Sequence, residues 1–192
     1  MSKYVIRSIP TKFETRDSDN GEKIIEGYFA VFNSNYEITP DMSESIDPHA
    51  FDSSINSDVR VLINHNTDLV VGRTTAGTAK LSVDDHGLYC RVVVNEADTD
   101  AMNAYARVQR GDVNQCSFGC YITRQDTARR EDGGMHFTIK DMDLFEVSIC
   151  TFPAYQQTSI SARSADAEDF KKREIELVKA RLRDKLKGES NA

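Results

Sequence analysis

The chain has 192 residues, of which 39% are hydrophobic, and its formal net charge is −7. Its length predicts one ordinary domain, and the negative charge argues against nucleic-acid binding, because phosphate contacts need clustered lysine and arginine. No apolar run approaches the roughly 20 residues that a membrane-spanning helix requires, so we expect a soluble protein without membrane partners.

The cysteines indicate a reducing environment. There are four of them, Cys90, Cys116, Cys120 and Cys150, which is too sparse for the disulfide framework of a small secreted protein. The first ten residues also lack the apolar core of a signal peptide. We therefore expect the protein in a cytoplasm or in a particle assembled there.

The first half of the chain predicts short strands. Residues 4–9 and 24–32 have strand-like patterns, and the turn residues at 17–21 predict a hairpin between them. Residues 33–50 are polar, contain two prolines and show neither the helical nor the strand periodicity of apolar residues, which predicts a long loop. A short helical turn is predicted at 51–55. Further strands are predicted at 58–64, 69–71, 78–83 and 88–94.

The second half predicts one helix and then long strands. Residues 98–111 have apolar residues at helical spacing, Asp98 or Thr99 as the cap and Gly111 as the end. Strands are predicted at 113–124, 135–140 and 143–151. The body is therefore predicted to be a mostly antiparallel α+β or all-β barrel, and the fold class is mostly β (α+β).

The C-terminal residues form a separate piece in composition. Residues 166–186 predict an amphipathic helix whose apolar stripe consists of Ile175, Val178, Leu182 and Leu186. A serine-rich linker is predicted at 158–165. We therefore divide the chain into a domain of residues 1–163 and a tail of residues 164–192.

The segment VNQCSFGC, residues 113–120, holds three possible nucleophiles. Side chains alternate between the two faces of a strand. Cys116, Phe118 and Cys120 share the more apolar face, which predicts two buried and unreactive thiols. Ser117 is on the opposite face and is predicted to point outward.

Two other segments supply groups that match a serine nucleophile. Alternation along residues 143–151 places Phe145 and Val147 on the core face and Glu146 opposite them, and His65 lies in a polar turn after a strand. A serine attacks a carbonyl when a neutral imidazole takes its proton, and a carboxylate commonly orients that imidazole. Ser117, His65 and Glu146 are the groups that acyl transfer needs, although none is diagnostic alone.

Six short motifs within residues 4–163 carry a family resemblance. In chain order they are DPHAFD at 47–52, LINHN at 62–66 with Gly72-Arg73, DHGL at 85–88, RGDV at 110–113, SFG at 117–119, and FEVS at 145–148 with Pro153-Ala154. In this order they resemble the prohead maturation proteases of tailed bacteriophages. That family is similar to the herpesvirus assemblins, which are serine proteases built on a small antiparallel β-barrel with flanking helices.

The resemblance implies roles for particular residues. It makes Ser117 the nucleophile and His65 the general base of a serine peptidase, and we choose Glu146 as the third member. His136 and Asp143 are the alternatives for that third position. Donors to the oxyanion are sought at Gly119 and in the Gly72-Arg73 turn, and neither a metal nor an organic cofactor is expected.

The resemblance also implies a biological setting. The enzyme would cleave scaffold segments of the major capsid protein, and itself, inside a prohead assembled in the host cytoplasm. The predicted tail helix would then dock on scaffold or on a second copy of the chain, or pack against its own barrel, and a homo-oligomer is expected.

Three other interpretations remain open from the sequence. The first is a capsid-associated structural or scaffold protein without catalytic activity. The second is a cysteine protease that uses Cys116 or Cys120. The third is a zinc site formed by these two cysteines with His65 and His136, although Phe118 between them leaves little room for a metal.

Overall fold

The structure, a computed structural model, describes residues 4–10, 13–18, 21–152 and 156–189. Within these residues the fold is mostly β, with eleven strands and two helices. The strands are β1 (Tyr4–Pro10), β2 (Phe13–Asp17), β3 (Lys23–Val31), β4 (Tyr36–Thr39), β5 (Met42–Ile46), β6 (Arg60–Ile63), β7 (Asn66–Arg73), β8 (Ala79–Val83), β9 (Gly87–Val93), β10 (Gln115–Arg129) and β11 (Met135–Cys150). The helices are α1 (Thr99–Arg110) and α2 (Gln156–Glu189).

The larger sheet has seven strands and is organised around β11. One edge of β11 pairs antiparallel with β10, and β1 pairs with the far edge of β10. The other edge of β11 is shared, because residues 135–139 pair parallel with β5 and residues 146–149 pair parallel with β6. Strands β4 and β7 complete the sheet beside β5 and β6 respectively.

The smaller sheet has four antiparallel strands in the order β2-β3-β9-β8. Its inner face shares one apolar core with the larger sheet and with α1, and that core includes Phe29, Phe51, Leu88 and Phe118. The mostly β prediction is confirmed. The described strands form two sheets and do not close into the single barrel that was expected.

Two local predictions in the first half of the chain are wrong. The hairpin partner of β3 is β2 and not β1, because β1 pairs with β10 at the other end of the chain. The predicted loop at 33–50 contains β4 and β5. Strand β5 has the polar sequence MSESI, and its polar residues are satisfied by distant partners, which local periodicity does not reveal.

Helix α1 is confirmed where local signals predicted it. The Asp98 carboxylate accepts hydrogen bonds from the backbone N–H groups of Asp100 and Ala101, at 2.9 and 3.2 Å. Gly111 ends the helix with φ of 84°, a left-handed conformation that glycine adopts at low cost. The helix buries its apolar face, which includes Ala101 and Val108, against the core.

Helix α2 is longer than the predicted tail helix, and residues 158–165 lie within it rather than forming the predicted linker. Ala167 is buried in a small cluster with Ile38 and Phe137, whereas Ile175 and Val178 further along are each 53% exposed. The division at residue 164 stays a prediction. No helix in the described ranges is long and apolar enough to cross a membrane.

A buried ion pair connects β1 to β5 across the two strands between them, β10 and β11. The Arg7 guanidinium donates two hydrogen bonds to the Glu44 carboxylate, one of them 2.9 Å from Nη2 to Oε2. Arg7 is 4% exposed and Glu44 is 2% exposed. Removing one member of such a pair leaves a buried charge without its counter-ion, which costs more than replacing both members.

We predict that Arg7→Met lowers the free energy of unfolding by about 3–5 kcal/mol, as measured by urea denaturation, because Glu44 stays buried without its counter-ion. The matched control is the double variant Arg7→Met with Glu44→Leu, which removes both charges and is expected to recover most of the loss. If Arg7→Met alone lowers the free energy of unfolding by less than about 1 kcal/mol, the Arg7–Glu44 pair does not stabilise the sheet as a buried ion pair.

Candidate active site

His65 lies in a tight turn between β6 and β7. The turn consists of Asn64 and His65, whose φ values of 52° and 59° are both in the left-handed region. Positive φ at both central residues is typical of two-residue hairpin turns that match strand twist. Asparagine tolerates this conformation, whereas histidine adopts it at a cost of about 1–2 kcal/mol.

Hydrogen bonds to the end of β11 hold this turn in place. The Asn64 N–H donates to the Ile149 carbonyl at 2.9 Å, and the Thr151 N–H donates to Asn64 Oδ1 at 2.8 Å. The His65 N–H donates to the Ser148 hydroxyl at 3.1 Å. These contacts offset the backbone strain and fix the position of the His65 backbone, from which the side chain extends.

The His65 imidazole is hydrogen-bonded to the Glu146 carboxylate. His65 Nδ1 lies 2.7 Å from Glu146 Oε1, and the two side chains are 20% and 7% exposed. Because an ionised carboxylate only accepts hydrogen bonds, this contact places the proton on Nδ1 and leaves the Nε2 lone pair to act as a base. The structure therefore brings two of the three predicted site residues together.

Ser117 lies one strand away, on β10. It is directly opposite Ser148 of β11 in the antiparallel register, and Gly119 is opposite Glu146. Directly opposed residues have Cβ atoms about 4.5–5.5 Å apart on the same sheet face. Ser117 therefore shares the face that carries Ser148 and Glu146.

The environment of Ser117 differs from the prediction. Its side chain is fully buried, at 0% exposure, and does not point outward into solvent. The hydroxyl donates a hydrogen bond to the Arg7 carbonyl of β1 at 2.6 Å. It is thus turned toward β1, while the imidazole lies on the side of β11.

Cys150 lies beside the other nitrogen of the His65 imidazole. Its Sγ lies 3.7 Å from His65 Nε2. Burial and the nearby Glu146 carboxylate raise the pKa of this thiol to about 12, so it stays protonated at neutral pH. A protonated thiol is a weak donor, and it faces the lone pair that the Nδ1–H tautomer leaves on Nε2.

Sequence reasoning missed Ser148 and Cys150 as parts of this site. The signal was present, because Glu146, Ser148 and Cys150 follow the two-residue period of a strand and share one face. The predicted core position of Phe145 is wrong, since this residue is 39% exposed. The register shifts between Gly119 and Cys120, and Phe145 is the extra residue on β11.

The alternatives for the third position lie elsewhere. His136 contacts the hydroxyls of Ser43 and Ser45, each at 2.8 Å, near the start of β11. At about 3.3 Å per residue, positions 136 and 146 are roughly 30 Å apart along the strand. Asp143 is exposed and is opposite Tyr121.

The cysteine and zinc interpretations gain nothing from the geometry. Cys116 and Cys120 are fully buried on the core side of β10, and Cys116 Sγ donates to the Tyr28 carbonyl at 3.1 Å. His65 and His136 have the separate partners given above. Among the described residues, no group of three or more histidine, cysteine, aspartate or glutamate side chains could hold a metal ion.

The predicted oxyanion donors lie within strands. Gly119 is within β10, opposite Ile6 of β1. Gly72 and Arg73 belong to β7 rather than to a turn, and the Arg73 N–H already donates to Thr78 Oγ1 at 2.9 Å. Arg73 is therefore engaged in this structure.

Comparison with known proteins gives a family match, a related sequence and a similar fold. Residues 11–173 match the family described as the caudovirus prohead serine protease. The chain is 29% identical over 174 residues to the prohead protease of Enterobacteria phage HK97, with 84% of this chain and 73% of that protein covered. Its fold is similar to that of the bacteriophage T4 capsid assembly protease, with a TM-score of 0.54, 12% identity, and 79% and 98% of the two chains covered.

The family match spans most of the chain, and it defines the class of protein as a serine peptidase. More particularly, the chain belongs to the caudovirus prohead serine protease family. The family predicted from six short motifs is thereby confirmed.

The strained turn generates a prediction about stability. We expect His65→Gly to be more stable than His65→Ala by about 1 kcal/mol, because both lose the imidazole but only glycine adopts positive φ at low cost. Urea denaturation at pH 7 measures the difference. The matched control is Asn33, which has φ of 52° outside this site, compared as Asn33→Gly and Asn33→Ala. Equal stability of the two His65 variants, with a clear difference at Asn33, would show that the turn is not strained at His65.

Proposed function

We propose that this chain is the endopeptidase that matures a phage prohead, with Ser117 as nucleophile, His65 as general base and Glu146 as the group that orients His65. The observation that carries this proposal is the 2.7 Å contact between His65 Nδ1 and Glu146 Oε1, on the same sheet face as Ser117 and one strand away from it. Family membership supports the reaction class, and the His65–Glu146 contact beside the strand that carries Ser117 supports the choice of these three residues.

In the proposed reaction, His65 Nε2 takes the hydroxyl proton of Ser117 as the serine oxygen attacks a peptide carbonyl. The resulting imidazolium returns its proton to the leaving amine, and water then hydrolyses the acyl-enzyme by the same steps. Glu146 holds the imidazole in the Nδ1–H tautomer and stabilises the positive charge when it forms. No step requires a metal or an organic cofactor.

The structure corresponds to a resting arrangement in this proposal. The Ser117 hydroxyl donates to the Arg7 carbonyl, and His65 Nε2 faces Cys150 Sγ. Catalysis requires both contacts to be exchanged for a hydrogen bond between Ser117 and Nε2. Catalytic hydrogen bonds often form only in the substrate complex, so this arrangement is compatible with the assigned roles.

The proposed substrates are scaffold segments of the major capsid protein and the protease itself, inside a prohead assembled in the host cytoplasm. Relatives that are named as a prohead protease and as a capsid assembly protease support this setting. Capsid proteins are then the main partners. The net charge of −7 is the reason to expect no nucleic-acid partner.

Self-association through α2 is a further part of the proposal. Ile175, Val178 and Leu182 form an apolar stripe on α2, and they are 53%, 53% and 55% exposed. The stripe is flanked by both signs of charge, including Glu176 and Lys179, which are 2.8 Å apart. A surface of this kind is complementary to itself in an antiparallel pair of helices, so a second copy is the proposed occupant.

The nucleophile is tested by Ser117→Ala in co-expression with the capsid protein of the same phage. We expect the capsid precursor to remain uncleaved, with a loss of at least about 10³-fold in cleavage rate, because the attacking oxygen is gone. Gel electrophoresis and mass spectrometry of purified proheads measure the cleavage. His65→Ala is expected to give the same result.

The matched control is Cys116→Ala, which alters the neighbouring residue on the core side and should leave the cleavage pattern unchanged. Cleavage that survives Ser117→Ala but disappears in Cys116→Ala would overturn the serine assignment in favour of the cysteine. Cleavage that survives both variants would place the nucleophile elsewhere in the chain.

The stripe on α2 is tested by replacing Ile175, Val178 and Leu182 together with glutamine, which preserves helix propensity. We expect the purified variant to sediment as a monomer at concentrations where the unaltered protein forms dimers. The control replaces Lys172, Arg173 and Arg181 with glutamine, which changes the same helix but keeps the stripe and the flanking Glu176 and Lys179. Unaltered protein that sediments only as a monomer, and that binds capsid scaffold through the stripe, would replace the second copy with scaffold as the occupant.

A further inference from the structure

Ser148 makes two contacts that join separate parts of the candidate site. Its hydroxyl oxygen accepts a hydrogen bond from the His65 N–H at 3.1 Å. The same hydroxyl donates to Glu146 Oε2 at 2.6 Å. Ser148 is fully buried, at 0% exposure, so water does not replace either contact.

The direction of both bonds is fixed by chemistry. A backbone N–H only donates, so the Ser148 oxygen is the acceptor from His65 and its single proton is left for another partner. An ionised carboxylate only accepts, so that proton goes to Glu146. The other oxygen of Glu146, Oε1, accepts a hydrogen bond from the His65 Nδ1–H at 2.7 Å.

These bonds form a closed ring from the His65 backbone through Ser148 and Glu146 to the His65 ring. We propose that Ser148 is a positioning residue, which holds the Glu146 carboxylate in the one orientation that selects the Nδ1–H tautomer of His65. The catalytic importance of this positioning rests on the proposed function. The ring itself rests on the contacts alone.

The ring performs two tasks that neither His65 nor Glu146 performs alone. It divides the two carboxylate oxygens between two donors, so that rotation of the carboxylate breaks at least one hydrogen bond. It also ties the left-handed backbone at His65 to β11, on which Glu146 lies. The orientation of the His65 imidazole is therefore set by its contacts with β11 and not by the β6–β7 turn alone.

The test compares two variants of equal shape, Ser148→Thr and Ser148→Val. Both add bulk at a buried position, but only threonine keeps the hydroxyl, so their difference isolates the two hydrogen bonds. Ser148→Ala serves as a second variant that removes the hydroxyl without adding bulk. Ser54→Ala is the control, because Ser54 is also buried and donates to the Met142 carbonyl of β11 at 2.8 Å, away from His65.

The first readout is the tautomer of His65, from long-range proton–nitrogen correlation spectra of ¹⁵N-labelled protein. The other three histidines of the chain serve as internal references. We expect the Nδ1–H form in the unaltered protein, in Ser148→Thr and in Ser54→Ala, and a mixture of both tautomers in Ser148→Val and Ser148→Ala. A folded valine or alanine variant that keeps only the Nδ1–H form would overturn the proposal.

The second readout is the rate of precursor cleavage in assembled proheads. We expect Ser148→Val to be slower than Ser148→Thr by on the order of 10²-fold, the lower range of what a positioned general base contributes. With Glu146→Gln present in both variants, the ratio should fall well below about 10²-fold, because only the contact of Ser148 with the His65 N–H then remains. A rate ratio that persists undiminished with Glu146→Gln would mean that Ser148 does not act through that carboxylate.

The two readouts separate failure of this inference from failure of the proposed function. If Ser117→Ala still cleaves precursor but the tautomer changes as expected, the assignment of Ser117 as nucleophile is wrong and the positioning role of Ser148 stands. If Ser117→Ala abolishes cleavage but the tautomer is unchanged in Ser148→Val and Ser148→Ala, the proposed function stands and the positioning role is rejected.

Discussion

The antiparallel pairing of β10 with β11 is the constraint on which the candidate site depends. It places Ser117 opposite Ser148 and Gly119 opposite Glu146. A slip of one residue in this register would turn Ser117 toward the core and bring Cys116 to the site, because side chains alternate along a strand. The pairing is held by buried apolar residues on the core side, including Phe118 opposite Val147, so packing in the core fixes the polar chemistry on the other face.

The bulge at Phe145 adapts this long strand to its surroundings. Before the bulge Leu144 faces the core, and after it Val147 faces the same core, although strict alternation would put these two residues on opposite faces. The extra residue lies outside, where the Phe145 ring packs edge-on against Tyr121 with centroids 5.0 Å apart. Bulges commonly re-aim a side chain next to an active site. Here the bulge directly precedes Glu146.

Local sequence signals predicted the parts of the fold that depend on neighbouring residues. Helix α1 followed from the cap at Asp98 and the glycine at 111, and the burial of Cys116 and Cys120 followed from alternation alone. Strand β5 was missed because Glu44 is neutralised by Arg7, a residue far away in the sequence. The burial of Ser117 was missed for a similar reason, since β1 beside it comes from the other end of the chain.

The sequence also indicated which groups could react, but not how they are engaged. The motif resemblance selected His65, Ser117 and Glu146, and the structure places His65 in contact with Glu146 and Ser117 on the neighbouring strand. The contacts of Ser148 and Cys150 with His65 depend on the path of the turn at Asn64, which is set by its bonds to β11. Backbone geometry of this kind is not encoded in any short motif.

The main obstacle to reaction from the resting arrangement is the burial of Ser117, and not the strength of its present hydrogen bond. A typical hydrogen bond contributes about 1 kcal/mol net, so exchanging the Arg7 carbonyl for an imidazole as the partner of Ser117 costs little. Burial is the larger obstacle, since Ser117 and Ser148 are fully buried and Glu146 is only 5% exposed. His65, at 20% side-chain exposure, is the part of the site that solvent reaches. In the proposed reaction a peptide therefore approaches over the His65 turn, and Ser117 must become exposed before its hydroxyl can attack.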